Sequence, residues 1–448
     1  MKYVALACIL QFILVWLFVR KSYITPIDFF ATLLLAQYGP HVVWQGGDLP
    51  LSQFASDLAI NRYFFGVSLA YSMLSLSILV GNYIPSLYAN GGGAADREVW
   101  DSSRCQRLYY WLAAFCIPYI LFFLFLDGPG LPRLSENLRF LMGTSSFSYT
   151  DIRRVLFVTT LYEQVAGQFR FSVTAGLVAL LVSSGLLGKV RVLYIVISVV
   201  GLFAVCAAQL SKFASVYYIG LVAMTIAMTR SAGKLYIIRT KTLLWGLAIL
   251  VIAFVALGFL YNLQYASALD KRMIDQEDLL ALLWYRPFFA VGDALYLWFE
   301  VFPDRVSYGG FGTLSVLGDF VGAASMDPTT LVPRIMFGDI LTTMQTGFIG
   351  SGYGAFGYVG IGIYSFAVGL LVQFLSTFPM RKFHGPLRYA SLAVISLNMY
   401  FLTTRQITTA LVSGGVLSAL IFFLVSASII SVLIRPRRGK CREEFLRG

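Results

Sequence analysis

Charge is scarce in this chain: only 12% of its 448 residues are Asp, Glu, Lys or Arg, while 58% are hydrophobic and the mean hydropathy is +0.75. A soluble domain cannot hide that much apolar surface, so lipid must be the main solvent, and a water-soluble enzyme or binding module is excluded. Histidine is nearly absent. His41 and His384 fall on opposite sides of the membrane in the topology below, so they cannot share a metal. No D-x-D-like carboxylate motif is present to hold a metal–nucleotide pair. The one glycine-rich run, Gly347 to Gly362, lacks the lysine of a phosphate-binding loop and opens an apolar span, which excludes a nucleotide site there. Small residues at that density instead let helices or a lipid chain approach the backbone closely. The cysteines (Cys8, Cys105, Cys116, Cys206, Cys441) lie in apolar runs or on the basic side, so disulfides are not expected. Soluble domains, linker runs and low-complexity segments are lacking too, and no internal repeat is visible, which counts against transporter folds built from inverted repeats.

What the chain has in plenty is apolar runs long enough to cross ~30 Å of hydrocarbon. They occur near 3–19, 27–45, 63–87, 108–127, 170–187, 190–209, 213–229, 242–262, 347–378, 387–404 and 408–434. The first follows Lys2, lacks a small-x-small cleavage site and ends in Arg20-Lys21, so an uncleaved span is expected rather than a signal peptide. The net charge of +12 would suit a nucleic-acid partner, but the cations crowd short segments between apolar runs: Lys189/Arg191, Arg230 to Lys241, Arg381 to Arg388 and Arg435 to Arg447. That is the positive-inside pattern, and no nucleic acid is expected as a partner. With the basic tail of about 435–448 inside, an odd number of spans puts the N-terminus outside. The expected fold is therefore an all-α polytopic membrane protein, a single integral domain over 1–448 with about eleven transmembrane helices. Two longer outside loops run from about 128–170 and 263–346. The second holds an apolar stretch, Leu279 to Phe302, broken by Arg286, Pro287, Asp293 and Glu300. A full span would bury Arg286 and Glu300 in lipid, so a half-membrane or interfacial helical pair is expected instead.

Once the inside charges are assigned to topology, the outside ones remain. Lys212 sits in Gln209-Leu-Ser-Lys212 between two spans, and Arg405 in Thr403-Thr-Arg405-Gln interrupts the last helical pair in the same way. Arg153-Arg154 and Arg170 flank the fifth run; Arg286 lies in Trp284-Tyr285-Arg-Pro, and Arg334 follows Pro333. Singly, each is explained as a helix-end anchor that snorkels to headgroups. As a set on one leaflet, they suit a phosphate-bearing, lipid-linked substrate, because a guanidinium binds pyrophosphate bidentately and stays ionised when desolvated. A group transfer there also needs a base for the acceptor hydroxyl, and Glu300 and Asp319 stand out because they lie in apolar surroundings.

From about 280 to 410 the chain resembles the Wzy-type polymerases of bacterial O-antigen and related surface polysaccharides. The resemblance rests on Arg286 in Trp-Tyr-Arg-Pro, the step Pro333-Arg334, the small-residue span from Thr346 to Gly360, and Arg405 before the final helix; Gln209-Leu-Ser-Lys212 is an earlier match. The chain departs from the family after Pro-Arg, where Ile335-Met336-Phe337 replaces the frequent polar residue. The resemblance implies a bundle of the GT-C-like lipid-dependent glycosyltransferase type in the bacterial inner membrane. The long loops and the active site would face the periplasm, as would the N-terminus, with the C-terminus cytoplasmic. It implies en bloc transfer of a growing glycan from undecaprenyl pyrophosphate to the non-reducing end of a new lipid-linked repeat unit, without metal or cofactor. Membrane lipids and a chain-length regulator protein are the partners it implies. The expected catalytic residues are Arg286, Glu300 and Asp319; Arg154, Lys212, Tyr285, Arg334, Tyr353 and Arg405 are expected to bind substrate. An O-antigen ligase is the nearest alternative, although such enzymes use an outside histidine and none lies between His41 and His384. A flippase or other transporter for lipid-linked sugars is the second.

Overall fold

The computed structural model describes residues 1–19, 25–43, 51–87, 100–122, 135, 139, 170–207, 212–231, 285, 289–313, 322–323, 326–338 and 343–434, without the side chains of 52, 84–87, 206–207 and 212–215. The described residues form helices and turns, with no strand among them. In chain order the helices are α1 (Lys2–Val19), α2 (Pro26–Val43), α3 (Asp57–Leu87), α4 (Ser102–Leu121), α5 (Ala175–Leu187), α6 (Val192–Ala207) and α7 (Lys212–Arg230). After them come α8 (Ala290–Val301), α9 (Pro328–Phe337), α10 (Gly347–Lys382), α11 (Gly385–Thr404), α12 (Ile407–Leu411) and α13 (Val416–Leu433).

Five stretches are long and apolar enough to cross a membrane: Lys2–Val19, Asp57–Tyr83, Arg170–Leu187, Gly347–Lys382 and Ile407–Leu433. The architecture is that of a helical membrane protein. Away from their ends, the described parts of the expected apolar runs are helical apart from residues 412–415, which divide 408–434, and the bend at Phe356-Gly357. The run 242–262 and the ends of 27–45, 108–127 and 190–209 lie outside the described residues. Five stretches of span length, not eleven, are seen among the described ones. On α13, Ile421, Val425, Ile429 and Val432 are exposed at helical spacing, and on α6 so are Val192, Leu193, Val196, Ile197 and Val200. Faces like these would aggregate in water and are satisfied by lipid tails.

Two groups of helices meet at α11. On one side α3 packs against α1 and α10; on the other α4 packs against α5, and α11 touches α2, α5, α7, α10 and α13. Fully paired polar groups fix this arrangement. Asn398 of α11 is completely buried: its Oδ1 accepts from Tyr217 Oη at 2.6 Å, and its Nδ2 donates to the Phe171 and Gly415 carbonyls, both at 2.9 Å. One amide thus ties α11 to α7, to the turn before α5 and to the start of α13, in an apolar medium that makes each bond costly to break. Asp28 does the same between α1 and α2, accepting from Trp16 Nε1 at 3.1 Å and from the Thr25 backbone N at 2.9 Å.

The glycine-rich run is not one straight span. Phe356 and Gly357 leave the helical region, with Gly357 at φ 63°, and divide α10 in two. Gly352 and Gly360 touch backbone to backbone, so that a Cβ on Gly360 would lie 1.9 Å from the Gly352 carbonyl oxygen. In a straight helix residues eight apart are separated by about 12 Å, so the chain bends sharply at this point. The piece up to Ala355 is buried at every position, and the piece after the bend, to Lys382, is the longer of the two. Of the apolar stretch Leu279 to Phe302, the described helix is α8, with 12 residues and about 18 Å of length; most of the stretch before it lies outside the described residues. The helix is buried except at Ala290 and Glu300, each half-buried, and it packs against α2, α3, α9 and α10.

Candidate anion-binding cleft and its charged neighbourhood

The end of α11 carries Arg405. Its backbone N still donates to the Phe401 carbonyl at 2.8 Å, but its φ and ψ of −106° and 164° are extended, so the helix stops and the chain turns into α12. This geometry sets the guanidinium over the Phe401 ring, with Cζ 4.5 Å from the centroid. Arg405 is half-buried and no carboxylate pairs with it among the described residues. Arg170 is close by: its Cζ lies 5.6 Å over the Phe171 ring, and the Phe171 and Phe401 rings are 4.7 Å apart. Burial lowers the pKa of Arg405, and the like charge of Arg170 lowers it further. An arginine starts so high that it stays ionised at neutral pH all the same.

Arg405 lines a cleft of about 270 Å³ together with Gly312, Thr313, Met326, Asp327, Thr329, Gln345, Gln406 and Thr409. The wall opposite the arginine is built by the start of α9. Asp327 caps that helix, its Oδ1 accepting from the Thr329 N at 3.0 Å and Oγ1 at 2.7 Å; Pro328 follows at the first helical position, and Gly338 closes the far end at φ 68°. Gln406 Nε2 also donates to Asp327 Oδ1, at 3.0 Å, and so joins the two walls. Oδ2 of Asp327 accepts no hydrogen bond among the described residues and remains open to a ligand. The cleft therefore combines one desolvated cation with hydroxyl and amide groups, a set suited to an oxyanion or a polyhydroxylated ligand.

A second group of charges at the same end is fully paired. Arg62, in the first turns of α3, forks onto Asp304 at 2.7 and 3.2 Å and donates to the Phe299 carbonyl at 3.3 Å. Glu300 accepts from Ser56 N at 3.0 Å, from Ser56 Oγ at 2.6 Å and from Arg305 Nη2 at 3.1 Å. Burial raises the Glu300 carboxyl, but these bonds outweigh it and hold the pKa below the ordinary carboxylate value. The Arg62 fork likewise holds Asp304 low.

Of the residues expected from the sequence, Arg405 reaches the cleft. Arg154, Arg286 and Asp319 lie outside the described residues. Lys212 is the first residue of α7, one turn and a half before Tyr218, whose hydroxyl bonds to the Arg170 carbonyl; the Lys212 side chain is outside the description. Arg334 is exposed on α9, about 10 Å along the helix from Asp327, and forms no ion pair among the described residues. Tyr353 is fully buried, bonded to the Phe302 carbonyl at 3.1 Å and packed 4.1 Å from the Phe299 ring centroid, which makes it part of the core. Tyr285 bonds at 2.5 Å to Asp293, a completely buried carboxylate that also accepts from Leu51 N at 2.9 Å. Neither tyrosine lines the cleft. Among the described residues no three His, Cys, Asp or Glu side chains are grouped to hold a metal.

Sequence reasoning missed Asp327, Gln406 and Arg62. Asp327-Pro328 carries a helix-start signature that could have been read from the sequence. Arg62 passes for a flanking charge until Asp304, its partner 242 residues later, is seen beside it. No known protein family, curated protein or solved structure matches this chain.

Proposed function

We propose that the protein polymerises undecaprenyl-pyrophosphate-linked oligosaccharide repeat units into O-antigen or a similar surface polysaccharide at the periplasmic face of the inner membrane. The observation that carries this reading is Arg405: a half-buried guanidinium without a carboxylate partner among the described residues, on the wall of a polar cleft at a helix end. Placing such a cation there is costly unless an anion arrives to pair with it. A lipid pyrophosphate reaches a helix end of a membrane protein from within the bilayer and brings the charge. In this reading Arg405, with Arg286, Arg154, Lys212 and Arg334, binds the donor and stabilises the pyrophosphate as it leaves with the electron pair of the broken glycosidic bond. The acceptor hydroxyl forms the new bond to the anomeric carbon, and its proton passes to a carboxylate. Both Glu300 oxygens are engaged by Ser56 and Arg305. Asp327 lines the cleft and its Oδ2 accepts no hydrogen bond among the described residues, so it is the better placed carboxylate for that step, with Asp319 the other candidate.

Deletion of the gene in the native strain, followed by gel analysis of surface glycan, tests the proposal. A polymerase deletion leaves core carrying a single repeat unit. Bare core with polymer stranded on the lipid carrier would mean a ligase, and repeat units held on the cytoplasmic face would mean a transporter.

A further inference from the structure

Beyond the cleft, a second aromatic surface lies around Tyr308, whose ring is parallel to that of Phe302 at 6.4 Å between centroids and keeps part of its area in solvent. Tyr308 is 37% exposed and Phe311 52% exposed on the loop leading into Gly310–Thr313. One side of the Tyr308 ring lies on Gly357, where a Cβ would come within 2.9 Å of its Cζ. That is the glycine with φ 63° at the bend of α10, so the bend is what makes room for the ring. Tyr358 follows the bend, and its ring is 5.4 Å from that of Tyr353, which in turn meets Tyr308 edge-on at 5.6 Å. Arg62 joins this aromatic group through Phe299: it donates to the Phe299 carbonyl at 3.3 Å, and the Phe299 ring lies 4.1 Å from that of Tyr353. Its partner Asp304 keeps half of its side chain in solvent. The fork uses two of the guanidinium's five donors on Asp304 and the Phe299 carbonyl takes a share, which leaves further N–H groups and the outer lone pairs of Asp304 available.

We infer that Tyr308, with Arg62 and Asp304, forms a carbohydrate-binding subsite. A pyranose has an apolar face of C–H groups that lies against an aromatic ring, and a rim of hydroxyls that both donate and accept. A part-exposed tyrosine four residues along the chain from Asp304 supplies the ring, and the guanidinium–carboxylate pair supplies the polar rim without reorganisation because it is already held in place. The path to the cleft is short. Tyr308 and Thr313 stand at the two ends of one loop, no more than about 18 Å apart even if the chain were fully extended. That loop is pinned by Gly309 N to the Gly354 carbonyl and by Met326 N to the Gly312 carbonyl, both at 2.9 Å. A glycan anchored by its phosphate near Arg405 would therefore run over the loop and set a sugar further along its chain on Tyr308. This direction rests on the polymerase reading above; the sugar contact itself does not.

The test uses the full-length protein in lipid nanodiscs on an array of bacterial surface oligosaccharides that carry neither lipid nor phosphate, with inorganic pyrophosphate titrated separately. Wild type retains at least one oligosaccharide. Tyr308→Ala weakens that retention by about tenfold, as expected for a lost ring contact, and Tyr308→Phe keeps it. Asp304→Asn also weakens it, and retention is read well below each variant's melting temperature so that unfolding is not taken for a lost contact. Absence of any retained oligosaccharide, or retention unchanged in both Tyr308→Ala and Asp304→Asn, would overturn the subsite. A protein that holds sugar through Tyr308 but ignores pyrophosphate would sink the polymerase site alone. One that holds pyrophosphate but no sugar would sink the subsite alone.

Discussion

Two arginines at one end of the molecule have opposite fates. Arg62 is clamped onto Asp304 at 2.7 Å and sits beside a second pair, Glu300 with Arg305 at 3.1 Å. Arg405 rests on an aromatic ring, half-buried, with a like charge nearby and no carboxylate to answer it among the described residues. The first arrangement ties together segments far apart in sequence, α3 and the end of α8. The second does nothing evident for the fold and leaves a desolvated charge facing a cleft. The contrast separates a paired charge from an unpaired one: the first has its anion built in, and the second, in the proposed reading, waits for the anion of a substrate.

The comparison breaks most completely if Arg405 is given a partner. Thr409 lines the same cleft one helical turn away, and Thr409→Glu would put a carboxylate within reach of the guanidinium. Pyrophosphate affinity, read by calorimetric titration, should then fall by about a hundredfold or more through lost attraction and new repulsion, while the melting temperature holds or rises. The converse experiment turns the paired arginine into a gap. Arg62→Ala leaves Asp304 and the Phe299 carbonyl without their donor, and the melting temperature should drop by several degrees. Arg62→Lys should recover only part of that loss, because an ammonium cannot fork.

How far these assignments were legible in the sequence differs between the two. Arg405 could be named from the sequence as one of several outside cations, each singly explained as a helix-end anchor, and the structure places it on the wall of a cleft. The paired group was hidden because Arg62 and Asp304 look like ordinary helix-flanking and loop charges, and pairing across 242 residues leaves no local trace. Apolar length alone marked where helices form, and five described stretches are long and apolar enough to cross a membrane. The bend at Phe356-Gly357 was not, because a run of glycines satisfies helical spacing whether it continues straight or folds back, and the decision lies in the Gly352–Gly360 contact. Tyr353 illustrates the same limit: its residue type suits a sugar path, but the bend carries it into the core.

A smaller effect should distinguish the two regions by pH. Glu300 and Asp304 have folded-state pKa values below their ordinary ones, so the stability they contribute is fully present above about pH 4 and is lost as the pH falls through the lower folded values. Thermal unfolding between pH 7 and pH 3 should show this acid loss. The Glu300→Gln/Asp304→Asn double variant should be less stable at neutral pH and show a flatter profile in the same range. Arg405 does not titrate there, so Arg405 variants should keep the wild-type profile.

The most direct measurement is a titration of the full-length protein in nanodiscs with a short-chain prenyl pyrophosphate, comparing wild type with Arg405→Gln at matched melting temperature. Saturable binding by wild type that weakens by about a hundredfold in the variant, as for loss of a charge-assisted contact, is the predicted result. Equal binding by the two proteins, or none by wild type, would contradict the assignment of the Arg405 cleft to a lipid-linked pyrophosphate.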